Sequence, residues 1–285
     1  MKSIRPLAVA GRLSFFSFLS CLWMCVPGVG HAADPPASLQ SGTNFIATPV
    51  FTADQDAAVL ALFQDLRVAD VSDGMDKAGL QSIGLMDPAI APLWKDTTRY
   101  THRVVGIAVT VRYVPTQRPP AGPVGDFDQW MGAWYQKLSS EPFAPLLRPG
   151  SVLVIEEHGQ DTGTIGSNNI LSWRLRGCVG VVTSATARDT DEIITQKIPL
   201  YYKGPGRGIR PGRNEVESVN RPVVCGGVLV MPGDVIVADG DGVIVVPRAK
   251  AKEVAEYALT TKDGDKAGRR RLYERLGLPL DPSVE

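Results

Sequence analysis

Apolar and polar positions divide the chain into segments of different period. "DQDAAVLALFQDL" places apolar residues at helical spacing, with Asp54 standing where an N-cap is expected. "VSDGMDKAGL" predicts a short helix that starts near Ser72 and stops at Gly79. "RVVGIAVTVRYVP" reads as a long strand closed by Pro115. A Pro-rich insert, residues 116–149, then encloses a helix-like "DFDQWMGAWYQKL" whose Trp130, Trp134 and Tyr135 form one face. Packing against a core is the expected role of that face, and a substrate lid is the alternative.

The second half is more regular. "SVLVIEE" is a strand, "HGQDTGTIG" a Gly-rich loop, "SNNILSWRLRG" a helix ended by Gly177, and "CVGVVTS" the next strand, followed by a helical turn in "TDEIITQ". This βαβ alternation predicts a parallel pair joined by a right-handed crossover, hence an α/β class. After "IPLYYKG" the chain becomes β-rich, and "PGD" and "DGDG" mark turns between apolar strands. "RAKAKEVAEYAL" predicts an amphipathic helix and "KAGRRRLYERLG" a second, basic one.

The N-terminus changes the picture of where this domain works. Lys2, Arg5 and Arg12 precede the apolar "LSFFSFLSCLWMCVPGVG", and Gly30 and Ala32 have the small size a signal peptidase selects. Residues 1–32 are therefore expected to be a cleaved secretory signal, and the protein periplasmic or secreted, with no stable membrane span after cleavage. Residues 33–53 follow as an extended arm, 54–262 as one domain, and 263–285 as a basic helix and tail. Losing the three basic residues of the signal turns 30 Lys+Arg against 30 Asp+Glu into 27 against 30. Such a balance supplies no global basic field for nucleic acid. About 250 mature residues suffice for a single domain with a real core. Of the four cysteines, Cys178 and Cys225 remain, either paired or as two buried thiols.

Candidate chemistry gathers at two loops. In a parallel pair, the loops leaving the carboxyl ends of both strands open on one sheet edge, where α/β proteins bind ligands. One loop delivers Gly166, Ser167, Asn168 and Asn169 at a helix start, whose free N–H groups suit a carboxylate. The other delivers Arg188, able to grip a carboxylate with two hydrogen bonds, and Asp189, a hard oxygen ligand for a divalent cation. A solvated ion pair beside an ordinary N-cap is the competing reading. Elsewhere, "GPGRGIRPGR" is a plain loop because Pro205 and Pro211 remove amide donors, although its arginines could line an acidic substrate's path. Asp239 and Asp241 read as a hairpin turn, and His102 and His158 stand apart from any triad.

These same segments resemble a known family. "IGSNN" with "RGCVGVVTSATARDTDEI", "VSDGMDKAG" and "GIAVTV" upstream, and "PVVCGGVLVMPGDVIVADGDGVIVVP" downstream are similar to the blocks of the RraA-like family over most of residues 55–260. That family includes 4-hydroxy-4-methyl-2-oxoglutarate and 4-carboxy-4-hydroxy-2-oxoadipate aldolases and the regulator of ribonuclease activity. The resemblance implies a single swivelling β/β/α domain, assembly into a homotrimer or hexamer, and a small 2-oxo acid as substrate. It further implies Mg²⁺ or Mn²⁺ on Asp189, substrate contact and enolate stabilisation by Arg188, and carbon–carbon cleavage with possible oxaloacetate decarboxylation. Two departures stand out: Ser167 occupies the position of a family aspartate that holds metal-bound water, and Ala185 replaces a glycine. A non-catalytic regulator, or an enzyme of this fold acting on a sugar acid, are the alternatives.

Overall fold

The computed structural model describes residues 42–119, 122–158 and 161–284. The predicted signal and the first part of the arm lie outside them. Residues 46–285 form one compact unit.

Helix α1 (Ala53–Leu62) begins two residues earlier than its pattern suggested. Thr52, not Asp54, is the cap: Gln55 N–H donates to Thr52 Oγ1 at 3.2 Å, and Thr52 N–H donates to Gln55 Oε1 at 2.8 Å. Helix α2 (Val68–Lys77) starts well before Ser72, because a distant residue caps it. Val68 N–H donates to the buried Asp239 carboxylate at 3.0 Å, a contact across 171 positions.

Strands β1 (Ala91–Pro92) and β2 (Val104–Pro115), helix α3 (Phe127–Lys137), and strands β3 (Ser151–Glu156) and β4 (Gly163–Ile165) follow. Next come α4 (Ser167–Leu175), β5 (Cys178–Thr183), β6 (Thr186–Ala187), α5 (Thr190–Gln196), β7 (Leu200–Tyr202) and β8 (Gly204–Pro205). The chain closes with β9 (Asn214–Val219), β10 (Val223–Cys225), β11 (Val228–Val230), β12 (Val235–Asp239), β13 (Gly242–Val246) and α6 (Ala251–Leu276).

The main sheet runs β1-β7-β5-β3-β2-β12-β13, with β9 paired to the far end of β2. β3 and β5 are parallel and joined through α4, as the βαβ pattern predicted. β3 is buried along its whole length, so consecutive residues serve opposite cores. Leu153 and Ile155 pack with Ile170, Trp173 and Ile193 under α4 and α5. Val152 and Val154 face Val223, Cys225 and Val230 of the β10–β11 hairpin. A third core joins α1, α2 and α6 to Val235, Val237, Ile244 and Val246. Helix on sheet on hairpin is the β/β/α layering expected from the resemblance.

Cys178 and Cys225 are buried free thiols in different cores, and burial pushes Cys225 up to about 12. The two helices predicted at the C-terminus are one 26-residue helix, α6. Gly264 lies inside it with nothing close enough to break the helix, which ends at Gly277 in the left-handed region, φ 65°. No described helix is long and apolar enough to cross a membrane.

Candidate active site at the β4–β6 edge

The Gly-rich loop is partly a strand. β4, β6 and β8 form a small parallel sheet beyond the carboxyl ends of β3, β5 and β7. Its register pairs Ile165 with Ala187, and Arg188 N–H donates to Ile165 O at 2.9 Å. Gly166-Ser167 and Arg188-Asp189 therefore leave adjacent strands side by side, although 22 positions separate Ser167 from Asp189.

Asp189 has φ 55° and ψ 39°. A left-handed conformation costs a non-glycine residue roughly 1–2 kcal/mol, so the surroundings must hold it. It turns the carboxylate toward the first turn of α4, where Oδ2 accepts from Ser167 N–H at 3.0 Å and from Ser167 Oγ at 3.3 Å. Arg188 Nε stands 3.8 Å from Asp189 Oδ1, too far for a direct hydrogen bond. Ser167 is thus tied to Asp189 and is no independent N-cap, while the Arg188 and Asp189 side chains stay 40% and 37% exposed. Two close approaches shape the corner: a Cβ on Gly163 would lie 2.7–2.8 Å from Cβ, Cγ and Cδ of Arg188, and one on Gly166 would lie 2.9 Å from Asp189 Oδ2.

Asn169 also has a side-chain partner. Its Nδ2 donates to Glu141 Oε1 at 2.8 Å, leaving Oδ1 directed toward Gly166. Its side chain therefore offers the corner an acceptor, not an anion donor. Ser167 N–H is likewise taken by Asp189, a correction to its role as a donor for substrate. The N–H groups of Asn168 and Asn169 find no acceptor among the described residues and remain the helix-start donors.

Oxygen atoms from Asp189, Ser167 and Asn169 thus surround Gly166. Among the described residues there is no group of three or more His, Cys, Asp or Glu side chains arranged for a metal. One carboxylate with neutral oxygens fits Mg²⁺, which keeps most of its waters, and does not fit zinc.

The insert supplies the opposite wall. Glu141 accepts from Asn169, from Trp173 Nε1 at 2.8 Å and from Arg210 Nη2 at 2.8 Å. Arg210, 4% exposed, also donates to Tyr113 Oη at 2.9 Å, and its guanidinium lies 5.0 Å from the Tyr135 ring. Arg210 is thus structural and lines no open substrate path, while the exposed Arg207 is paired with Asp161. Trp134 is buried with Nε1 on Asn214 O at 3.0 Å, which is core packing. Beneath this wall Glu157 accepts from Thr164 and from Asn214 Nδ2 at 2.7 Å, and burial pushes its pKa up. Sequence reasoning placed Arg210 only in a loop beside a substrate path and missed Glu141, Tyr113 and Glu157 altogether. Each is a single residue in an unremarkable context, without a spacing to reveal it.

Comparison with known proteins agrees with this fold. A Halalkalibacterium halodurans protein provisionally named 4-hydroxy-4-methyl-2-oxoglutarate aldolase is 30% identical over 129 residues, 45% of this chain and 61% of that protein. The Thermus thermophilus 4-hydroxy-4-methyl-2-oxoglutarate aldolase is 33% identical over 102 residues, 34% of this chain and 60% of that protein. The chain thus spans about three-fifths of the length of these relatives. The crystal structure of a Streptomyces coelicolor protein, described as an unusual member of the RNase ES inhibitor RraA family, superposes with TM-score 0.60 at 23% identity. That superposition covers 78% of this chain and 99% of that one. The family model described as Aldolase/RraA matches residues 68–245, from the first residue of α2 to the last strand of the sheet, and the chain belongs to the RraA-like family.

Proposed function

We propose that this protein is a divalent-metal-dependent lyase that cleaves a 4-hydroxy-2-oxo acid to pyruvate and a second oxo acid. The observation carrying this reading is the strained Asp189 carboxylate, held against the start of α4 with Arg188 beside it. Asp189 would hold Mg²⁺ or Mn²⁺, with Ser167 Oγ and Asn169 Oδ1 as neighbouring oxygens. The ion would supply Lewis-acid polarisation of the 2-oxo group.

The chain's own groups orient the substrate and stabilise its developing charge. Free N–H groups of Asn168 and Asn169 orient the substrate carboxylate at the positive end of α4. Arg188, its stem lodged against Gly163, stabilises the enolate oxygen that develops as the carbon–carbon bond breaks. Oxaloacetate decarboxylation passes through the same enolate and needs no hydroxyl deprotonation, so the corner would serve both reactions. Ser167 Oγ can orient water but carries no charge at neutral pH. That hydroxyl favours one second reading, a binding or regulatory protein with the family's corner and little turnover.

Pyruvate release from 4-hydroxy-4-methyl-2-oxoglutarate and from oxaloacetate separates the two readings. The lyase reading expects release that stops with EDTA and returns with Mg²⁺ or Mn²⁺; no release from either acid under any metal supports the second reading. Homo-oligomerisation as a trimer or hexamer belongs to the proposal, and light scattering giving a monomer mass would remove it. Export does too: mass spectrometry of periplasmic protein should show a start near Ala33, and an intact Met1 in cytosolic protein would overturn it.

A further inference from the structure

On the side of the sheet where β2 begins, away from the Arg188–Asp189 corner, three elements enclose a cleft of about 550 Å³. The turn before β2 brings Arg99 and Arg103, the α1–α2 loop brings Arg67, and α6 brings Lys262, Lys266 and Arg269. The α6 residues recur at i, i+4 and i+7, which places all three on one helix face. Asp65 is the one acidic residue lining the cleft.

Few of these charges are neutralised. Arg67 is spent on Asp70 and lies 3.8 Å from Asp265. Arg99, Arg103, Lys262 and Lys266 form no ion pair with any other described residue. Lys262, Lys266 and Arg269 are nevertheless half-buried. Like charges at helical spacing repel by a few tenths of a kcal/mol per pair, and half-burial removes part of the water that would screen them. Arg103 is held in place, its guanidinium 4.0 Å from the Tyr100 ring centroid. Arg99 and Arg103 also line a neighbouring cleft with Arg174 and Lys197, which extends the positive field.

We propose that this cleft is a second binding site, for a small soluble anion carrying two or more phosphate groups. The volume lies in the range of roughly 300–1,000 Å³ that such ligands occupy. Arginine forks match phosphate oxygens in pairs, while the lysines add point charges that no internal carboxylate satisfies. A single carboxylate or phosphate would leave most of the cations other than Arg67 unanswered.

Calorimetric titration of the full-length protein with inorganic tripolyphosphate, in metal-free buffer of low ionic strength, tests this. The site predicts saturable binding at one equivalent per chain. Lys262→Ala/Lys266→Ala and, separately, Arg99→Ala/Arg103→Ala should each weaken it about tenfold or more. Arg188→Ala should leave it unchanged, which keeps this site independent of the lyase reading. Tripolyphosphate binding that fails to saturate, or that both double variants retain, overturns the proposal. So does binding to anionic phospholipid vesicles with no affinity for tripolyphosphate, which would make the cleft a membrane contact. A double variant whose only change is its oligomeric mass would make the cleft an interface between copies, and likewise overturns it.

Discussion

Helix α4 is gripped at its first turn by two carboxylates that are built in opposite ways. Glu141 comes from the insert and meets three donors, one of them the buried guanidinium of Arg210. Asp189 comes from the loop after β6, sits in a left-handed backbone and stays 37% exposed. Glu141 is largely satisfied by the protein and has little left to offer a ligand. Asp189 is only partly satisfied, and its remaining capacity faces outward beside free helix amides. One carboxylate makes a wall and the other the corner proposed as the site, and the difference lies in partners and burial, not in the chemistry of the group.

Breaking the wall should have the largest effect. Arg210→Ala strips a buried partner from Glu141 and Tyr113 and should cost about 3–5 kcal/mol in urea unfolding. A loss near zero would mean that the insert is not fixed by this contact. Glu141→Gln keeps the shape and loses the charge, so it should cost less than Arg210→Ala while freeing Asn169 to rotate its amide.

Sharpening the site comes next. Ser167→Asp places a second carboxylate where a hydroxyl now lies 3.3 Å from Asp189 Oδ2. Without metal the repulsion should lower stability, and added Mg²⁺ or Mn²⁺ should restore it, with metal binding tighter by about 1–3 kcal/mol. Thermal unfolding with and without metal reads this directly; a variant indifferent to metal contradicts the corner as a cation site. Gly166→Ala is milder. Its φ of −123° accepts a side chain, but the new Cβ would sit 2.9 Å from Asp189 Oδ2 and push the carboxylate aside. Metal affinity should fall about tenfold with little change in unfolding.

The smallest effect concerns Glu157. Burial raises its pKa above the ordinary 4.5. The stability linked to its proton is fully present below pH 4.5 and is lost as pH rises through the raised folded-state value. Glu157→Gln should remove that slope, making the variant's stability flatter than wild type above pH 4.5. Parallel pH curves for the two proteins would contradict the burial argument.

Much of this architecture is written in local pattern. β2, β3 and β5 are continuous apolar runs, and the α4 crossover follows from one strand, one helix and one strand in order. The Arg188–Asp189 corner was legible because adjacent strand ends must open together. β4, β6 and β8 were not, since strands of two or three residues carry no period. The start of α2 was set by Asp239, and the wall by Tyr113, Glu141 and Arg210, contacts that fold assembles from distant single residues. Asn169 shows the same limit in chemistry: its place was readable, but which end of its amide faces the site depends on Glu141.

The central claim is that the Asp189 corner holds the cation on which carbon–carbon cleavage depends. Calorimetric titration of Mn²⁺ into wild type and Asp189→Asn tests it most directly, because asparagine tolerates the left-handed backbone and should leave the fold intact. One site per chain in wild type, lost in the variant along with pyruvate release, is the predicted result. Unchanged Mn²⁺ affinity in a folded Asp189→Asn protein would contradict it.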